Sequence, residues 1–212
     1  SLRLTRSCLE VCAEFRNPVS IVTKGPLIER DIDVLWQLTR DASVHVAISV
    51  PIWDQELARA IEPGVATPKR SIKTIETLAK AGIAVGVMVA PIIPGVSDEG
   101  VAEVLQAARD AGARSAGYVL LRLPGSVKEV FESRIRAALP LRADKILHRV
   151  RETRDGKLYD SRWGVRGRGE GPYADAIAQV FESCVKRLGF DQERWAEREP
   201  TFRRPARVEP QL

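Results

Sequence analysis

Val85 to Asp98 reads VGVMVAPIIPGVSD, an unbroken apolar run that turns abruptly into a Pro-Gly break and then a helix start. An apolar run with almost no polar alternation is the mark of a strand covered on both faces, the usual state of a parallel strand in an α/β sheet. Pro91 and Pro94 stop regular pairing and Gly95 supplies the turn. Ser97 or Asp98 is placed to cap the next helix, which is expected to run to about Ala111 with Val101, Val104, Leu105 and Ala108 on one face. The chain reaches one end of a sheet, turns, and leaves through a helix. In parallel α/β proteins ligands gather at that end.

The same unit recurs on both sides. Upstream, HVAISV (His45 to Val50) is a second strand, followed by short-helix residues Gln55 to Ile61, the break Glu62-Pro63-Gly64, and a helix from Thr67-Pro68 to Ala81 that Gly82 stops. Further upstream, VSIVT (Val19 to Thr23) is a β-branched strand. Asp31 to Arg40 then forms a helix expected to carry Ile32, Leu35, Trp36 and Leu38 inward. The opening Leu2 to Phe15 places Leu4, Cys8, Val11, Cys12 and Phe15 on one helical stripe, and Asn17-Pro18 ends it. Downstream, SAGYVLL (Ser115 to Leu121) is a strand leading to Arg122-Leu123-Pro124-Gly125. Strands alternating with helices imply right-handed crossovers and one parallel sheet.

After Val127 the pattern turns helical, over about Val127 to Leu139, Arg142 to Arg154 and Tyr173 to Leu188. An Arg/Gly-rich loop, DGKLYDSRWGVRGRGEGP (Asp155 to Pro172), separates the last two. The expected organisation is therefore a partial (β/α) barrel of parallel strands over residues 1–139, a helical extension with the Arg/Gly loop over 140–190, and a loosely held tail over 191–212. A closed barrel of this kind needs about eight strands. Val19, Ile21 and Val22 make the first strand as apolar as a central one, without edge charges. One or two strands are accordingly expected to precede residue 1, with the barrel incomplete at its N-terminus.

Composition narrows the function classes. The chain has 212 residues, a net charge of +5, 44% hydrophobic and 29% charged residues. Such a balance is that of an ordinary globular domain, and it permits an anionic partner without demanding one. Cys8, Cys12 and Cys184 are too scattered for a disulfide framework, which points to a reducing, cytoplasmic setting. No run approaches the length of a membrane span. His45 and His148 have no carboxylate or thiol at metal spacing, so no metal site is assigned. There is no dinucleotide, Walker A or G-x-S-x-G motif.

At the strand exits stand Lys24, Ser49, Pro91 with Ile92 and Ile93, and Leu120 with Leu121. Lys24 suits a carboxylate or phosphate, Ser49 a sugar hydroxyl, and the apolar exits the faces of a flat ring. The alternatives are a solvated loop lysine and a buried hydroxyl bonded to backbone.

The series Asn17-Pro-Val-Ser-Ile-Val-Thr-Lys24, Val46-Ala-Ile-Ser49, Glu62-Pro63 with Arg70, and Val89-Ala-Pro-Ile-Ile-Pro-Gly95 before Asp98 resembles the radical S-adenosylmethionine (SAM) proteins related to spore photoproduct lyase. The resemblance runs from about Leu4 to Leu188. It implies a partial barrel that binds SAM beside a [4Fe-4S] cluster, fed by an electron donor, and cleaves SAM reductively to a 5'-deoxyadenosyl radical. By position, Lys24 would meet the methionine carboxylate, Ser49 the ribose, and Ile92, Ile93 and Leu121 the adenine. Arg70 would add a carboxylate contact or form a surface salt bridge.

The family holds its cluster with C-x3-C-x2-C. Cys8 and Cys12 have the first gap, but Phe15 stands at the third position, and thiols at i and i+4 of an amphipathic helix ordinarily pack as small hydrophobes. The ligand cysteines are expected upstream of this chain, which alone should not make a radical. The substrate is not legible. A rival reading is a noncatalytic nucleic-acid-binding module that uses Arg149, Arg151, Arg154, Arg162, Arg166 and Arg168.

Overall fold

The computed structural model describes residues 3–191 and 200–204. Four strands, β1 (Val19–Thr23), β2 (Val44–Ser49), β3 (Val85–Ile92) and β4 (Ser115–Leu120), form one open parallel sheet in the order β1-β2-β3-β4. Each strand therefore lies beside its neighbour in sequence, joined by helical crossovers. The helices are α1 (Leu4–Glu14), α2 (Ile32–Thr39), α3 (Gln55–Ile61), α4 (Pro68–Lys80), α5 (Val101–Asp110), α6 (Val127–Ala138), α7 (Ala143–Glu152), α8 (Val165–Arg168) and α9 (Pro172–Leu188). Thr67 starts α4 by accepting from the Arg70 amide at 3.2 Å, with Pro68 in the first turn, and Asp54 caps α3 through the Leu57 amide at 2.7 Å. Gly82, at φ 78°, takes the left-handed turn that releases the chain from α4 toward β3.

One layer of helices covers one face of the sheet. Val46 and Ile48 of β2, Val85, Val87 and Val89 of β3, and Leu120 of β4 are buried with Leu35, Ile75, Leu78, Val104 and Leu105 from the helices. Each such residue contributes about 1.5–3 kcal/mol on burial. α9 joins this same core through Ile177, Phe181 and Cys184, and the Phe181 ring tilts against Tyr118 at 4.7 Å. A second apolar cluster sits at the strand exits, where Ile52, Ile93, Leu121 and Leu123 meet Ile135, Ile146 and Val150 of α6 and α7.

The other face of the sheet carries the alternate residues: Val22, Ala47, Gly86, Met88, Gly117 and Val119. Val22 is 60% exposed there. His45 Nε2 and Ser115 Oγ meet at 2.8 Å across Gly86, joining β2 to β4 over the strand between them. Burial holds the His45 pKa below its ordinary value. A Cβ at Gly86 would lie 2.3 Å from Ser115 Oγ and 2.9 Å from the Ser115 carbonyl oxygen. Gly86→Ala is expected to destabilise the fold by about 1–3 kcal/mol, read as a lower urea midpoint; an unchanged midpoint would show that β4 moves aside freely.

Several sequence expectations are corrected. On α1 the buried residue is Leu9, while Leu4 and Val11 are 66% and 54% exposed and Cys8 is exposed. The helix carries apolar residues on two sides, and the side packed on α2 brings Leu9, Cys12 and Ala13 to the core. Trp36 is 51% exposed, with Arg40 over its ring at 5.6 Å, and Val34 takes the inward place instead. Ser97 does not cap α5. Its hydroxyl accepts from the Ile93 amide at 2.9 Å, closing the turn after β3, so the helix begins later, at Val101. A 3-10 turn over Pro26–Asp31 takes in the Asp31 expected to open α2, and the short α8 lies within the stretch read as the Arg/Gly loop. Of the expected loose tail, residues 192–199 and 205–212 lie outside the described residues. Residues 200–204 are docked: Thr201 Oγ1 donates to the Arg16 carbonyl at 2.8 Å, and Phe202 stacks on Phe15 at 5.9 Å.

Candidate functional site at the strand exits

Because the strands are parallel, Lys24, Ser49, Ile92 with Ile93, and Leu121 all lie toward the carboxyl ends of the strands, in strand order; Ser49 is level with Met88, and the β3–β4 register shifts between Val89 and Ile92, so β3 runs further out than β2. Adjacent exits are tied directly. The Ser49 hydroxyl donates to the Ala90 carbonyl at 3.1 Å, and the Leu121 amide donates to the Ile92 carbonyl at 2.8 Å. Ser49 is 7% exposed. Its single proton is spent on Ala90, which leaves its lone pairs to accept from a neighbouring hydroxyl.

Lys24 pairs with Glu62, a residue the sequence reading quoted without a role. Their side chains are 32% and 25% exposed, so the pair is only partly solvated. Glu62 comes from the end of α3, and it lines a small cavity of about 20 Å3 with Ser49, Thr67 and Ser71. The plus-minus pair thus stands next to the serine at the exits of β1 and β2. The signals for Glu62 in the sequence were its place in a Pro-Gly break after the second strand and its place, with Pro63, in the series that carries the family resemblance.

Arg70 is held elsewhere. Its guanidinium forks onto Glu29 at 2.7 and 2.9 Å and donates to Thr74 Oγ1 at 2.9 Å. This contact holds the Glu29 carboxyl below, and the Arg70 guanidinium above, their usual values. It fastens the 3-10 turn to α4. Ile92 and Ile93 are 0% and 3% exposed and Leu121 is 8% exposed, so they form a packed wall behind the edge.

A larger groove of about 560 Å3 opens between α3, the turn before α5 and the start of α7. Asp54, Glu56, Glu99 and Glu103 line it against Arg142, a charge balance that repels a carboxylate or phosphate. Among the described residues no His, Cys, Asp and Glu set is arranged to hold a metal ion. The Cys8, Cys12 and Phe15 series presents no third thiolate, so the described residues do not fit a [4Fe-4S] cluster.

The Arg/Gly loop is built around Arg154, which is 0% exposed. Its guanidinium donates to the carbonyls of Leu121 at 2.9 Å, Thr153 at 3.1 Å, Val165 at 3.2 Å and Arg166 at 3.3 Å. Nε faces no acceptor, and desolvation lowers the pKa of the group. Arg162 is pinned by Asp160 at 2.6 Å and by Glu170, and this pairing pulls the Asp160 pKa down to about 2. Arg149 pairs with Glu152 at 2.8 Å and covers the Tyr173 ring at 4.6 Å. Tyr173 donates to Asp98, and burial, then that contact, push its pKa up to about 12. The six-arginine patch of the rival reading is therefore broken up: Arg154 is inside the protein, and Arg149 and Arg162 are committed to carboxylates.

A four-stranded parallel sheet wrapped by helical crossovers defines the class of the protein. Its family follows from the match of residues 2–108 to the Radical SAM superfamily; the chain belongs to that superfamily. An uncharacterized protein of Mycobacterium tuberculosis is 34% identical over 137 residues, covering 64% of this chain and 39% of that protein. An uncharacterized protein of Methanocaldococcus jannaschii is 30% identical over 96 residues, 45% of this chain and 36% of its own length. The chain thus spans well under half the length of these relatives. In fold it is similar to a singly substituted spore photoproduct lyase, with a TM-score of 0.58 at 15% identity, over 89% of this chain and 54% of that one. A second lyase structure, with bound AdoMet and dinucleoside spore photoproduct, gives 0.53 at 18% identity, over 88% and 52%.

Proposed function

We propose that this chain forms the SAM-binding wall of a radical SAM enzyme. The observation that carries the reading is the half-buried Lys24–Glu62 pair beside Ser49 at the exit edge. An α-amino acid is a zwitterion, and a cation and an anion set side by side complement its carboxylate and its ammonium. Lys24 takes the carboxylate, Glu62 the ammonium, and Ser49 accepts from a ribose hydroxyl. Ile92, Ile93 and Leu121 back the adenine, and Arg70 acts on the site only by holding the 3-10 turn in place. When SAM meets a reduced [4Fe-4S] cluster, the family's chemistry is its reductive cleavage to a 5'-deoxyadenosyl radical. Since the described residues do not fit that cluster, its thiolates come from protein outside them, as does the reducing electron donor. The setting is a reducing, cytoplasmic one.

Equilibrium dialysis of the chain against labelled SAM, followed by anaerobic incubation with iron, sulfide and dithionite, tests this reading. Bound SAM without 5'-deoxyadenosine is the expected result. Failure to retain SAM would overturn the wall, and release of 5'-deoxyadenosine would overturn the outside origin of the thiolates.

A further inference from the structure

Trp163 is 84% exposed, the most exposed aromatic among the described residues. An indole in water on a floppy loop needs no explanation, but this one is mounted. Arg166 lies over its ring at 4.3 Å. The Arg166 and Val165 carbonyls are gripped by the buried Arg154, whose other nitrogen contacts reach the exit of β4 at Leu121. Arg162, the residue before the indole, is locked by Asp160 and Glu170. Gly167 of α8 approaches Val119, so the short helix rests on the face of β4 that carries Val119, away from the residues packed in the helix layer. The protein commits a fully buried guanidinium, with one nitrogen left unsatisfied, to fixing this loop at the mouth of the sheet.

Asp160 and Glu170 are spent on Arg162, and the charges left unpaired beside the mount are positive. Arg122, which follows the gripped Leu121, and Arg168, at the end of α8, are exposed and form no ion pair among the described residues. A rigid aromatic face backed by a cation, flanked by unneutralised arginines, matches one ligand chemistry: a flat π-system on an anionic backbone. We propose that Trp163, with Arg166 behind it, is a stacking platform for an unpaired nucleobase, and that Arg122 and Arg168 take the adjoining phosphates of a single strand. That this strand is the substrate of the radical chemistry rests on the function proposed above; the platform itself does not.

The test is fluorescence anisotropy of labelled oligothymidylate and oligouridylate, each of roughly ten nucleotides, within the span of one such site. Trp163→Ala is expected to weaken binding of both strands, or of whichever the protein prefers, by roughly tenfold, while Trp163→Phe stays near wild type. Because the side chain is exposed, the melting temperature should not move. Arg168→Ala should flatten the dependence of log affinity on log salt by about 0.7. Equal affinity of Trp163→Ala and wild type, or no binding by wild type at low salt, would overturn the platform. SAM dialysis on the same preparations separates the two claims. Lost SAM binding with intact stacking defeats the radical reading alone, and intact SAM binding with no stacking defeats the platform alone.

Discussion

Arg154→Ala is expected to cost on the order of 4 kcal/mol of folding stability, because it strands two buried and two partly buried carbonyls at once. The guanidinium supplies donors to Leu121, Thr153, Val165 and Arg166, and the residue is 0% exposed; the Leu121 and Thr153 bonds are buried and the other two partly so. The fork geometry matters as much as the charge. Arg154→Lys offers one compact ammonium and should recover little of the loss. Arg154→Met keeps most of the volume but none of the donors, so it should fall close to the alanine variant. Urea denaturation with tryptophan emission and far-UV circular dichroism reads the result. A loss below about 1 kcal/mol, or full rescue by lysine, would mean that the loop is held by its apolar contacts and that the carbonyls find other donors.

That interior arginine also marks where sequence reasoning stops. An arginine in a run of charged residues reads as a solvated face, since arginine is rarely buried unless its donors are taken. Nothing local in HRVRETRDG distinguishes Arg154 from Arg149 or Arg151; the distinction comes from Leu121, 33 positions away. The sheet was legible for the opposite reason. Strand burial is written locally, in runs such as VGVMVAPI, and a parallel order follows from the intervening helices, so β1 and α3 fall at the expected residues. Errors of facing arose where a short helix is apolar on two sides, as at Leu4 and Val11 against Leu9. The exit edge was legible as a row of residues. The partners were not, because Glu62 reaches Lys24 and Glu29 reaches Arg70 across turns whose direction no periodicity encodes.

Lys24→Ala is expected to lower SAM affinity by roughly 10- to 100-fold, the loss of one charge-assisted contact to a carboxylate. Its effect on stability should stay within about 1 kcal/mol, because a partly exposed ion pair holds the fold only weakly. That split decides between the two readings of the lysine. If the Lys24–Glu62 pair were only a solvated tie between β1 and α3, SAM affinity would be indifferent to it. Glu62→Gln keeps the shape and removes the anion that faces the ammonium, so it should weaken SAM as well, and by less, since the lysine it frees binds the carboxylate without competition. Ser49→Ala removes an acceptor for the ribose and also leaves the Ala90 carbonyl without its donor, so it should lower both affinity and stability. Isothermal titration with SAM, run beside urea melts of the same variants, separates these outcomes. Loss of binding in all three variants, with stability lost only in Ser49→Ala, is the signature of a zwitterion site built on the sheet edge. Unchanged binding in Lys24→Ala and Glu62→Gln would leave the pair as a strap and the amino-acid end of SAM without a seat on this chain.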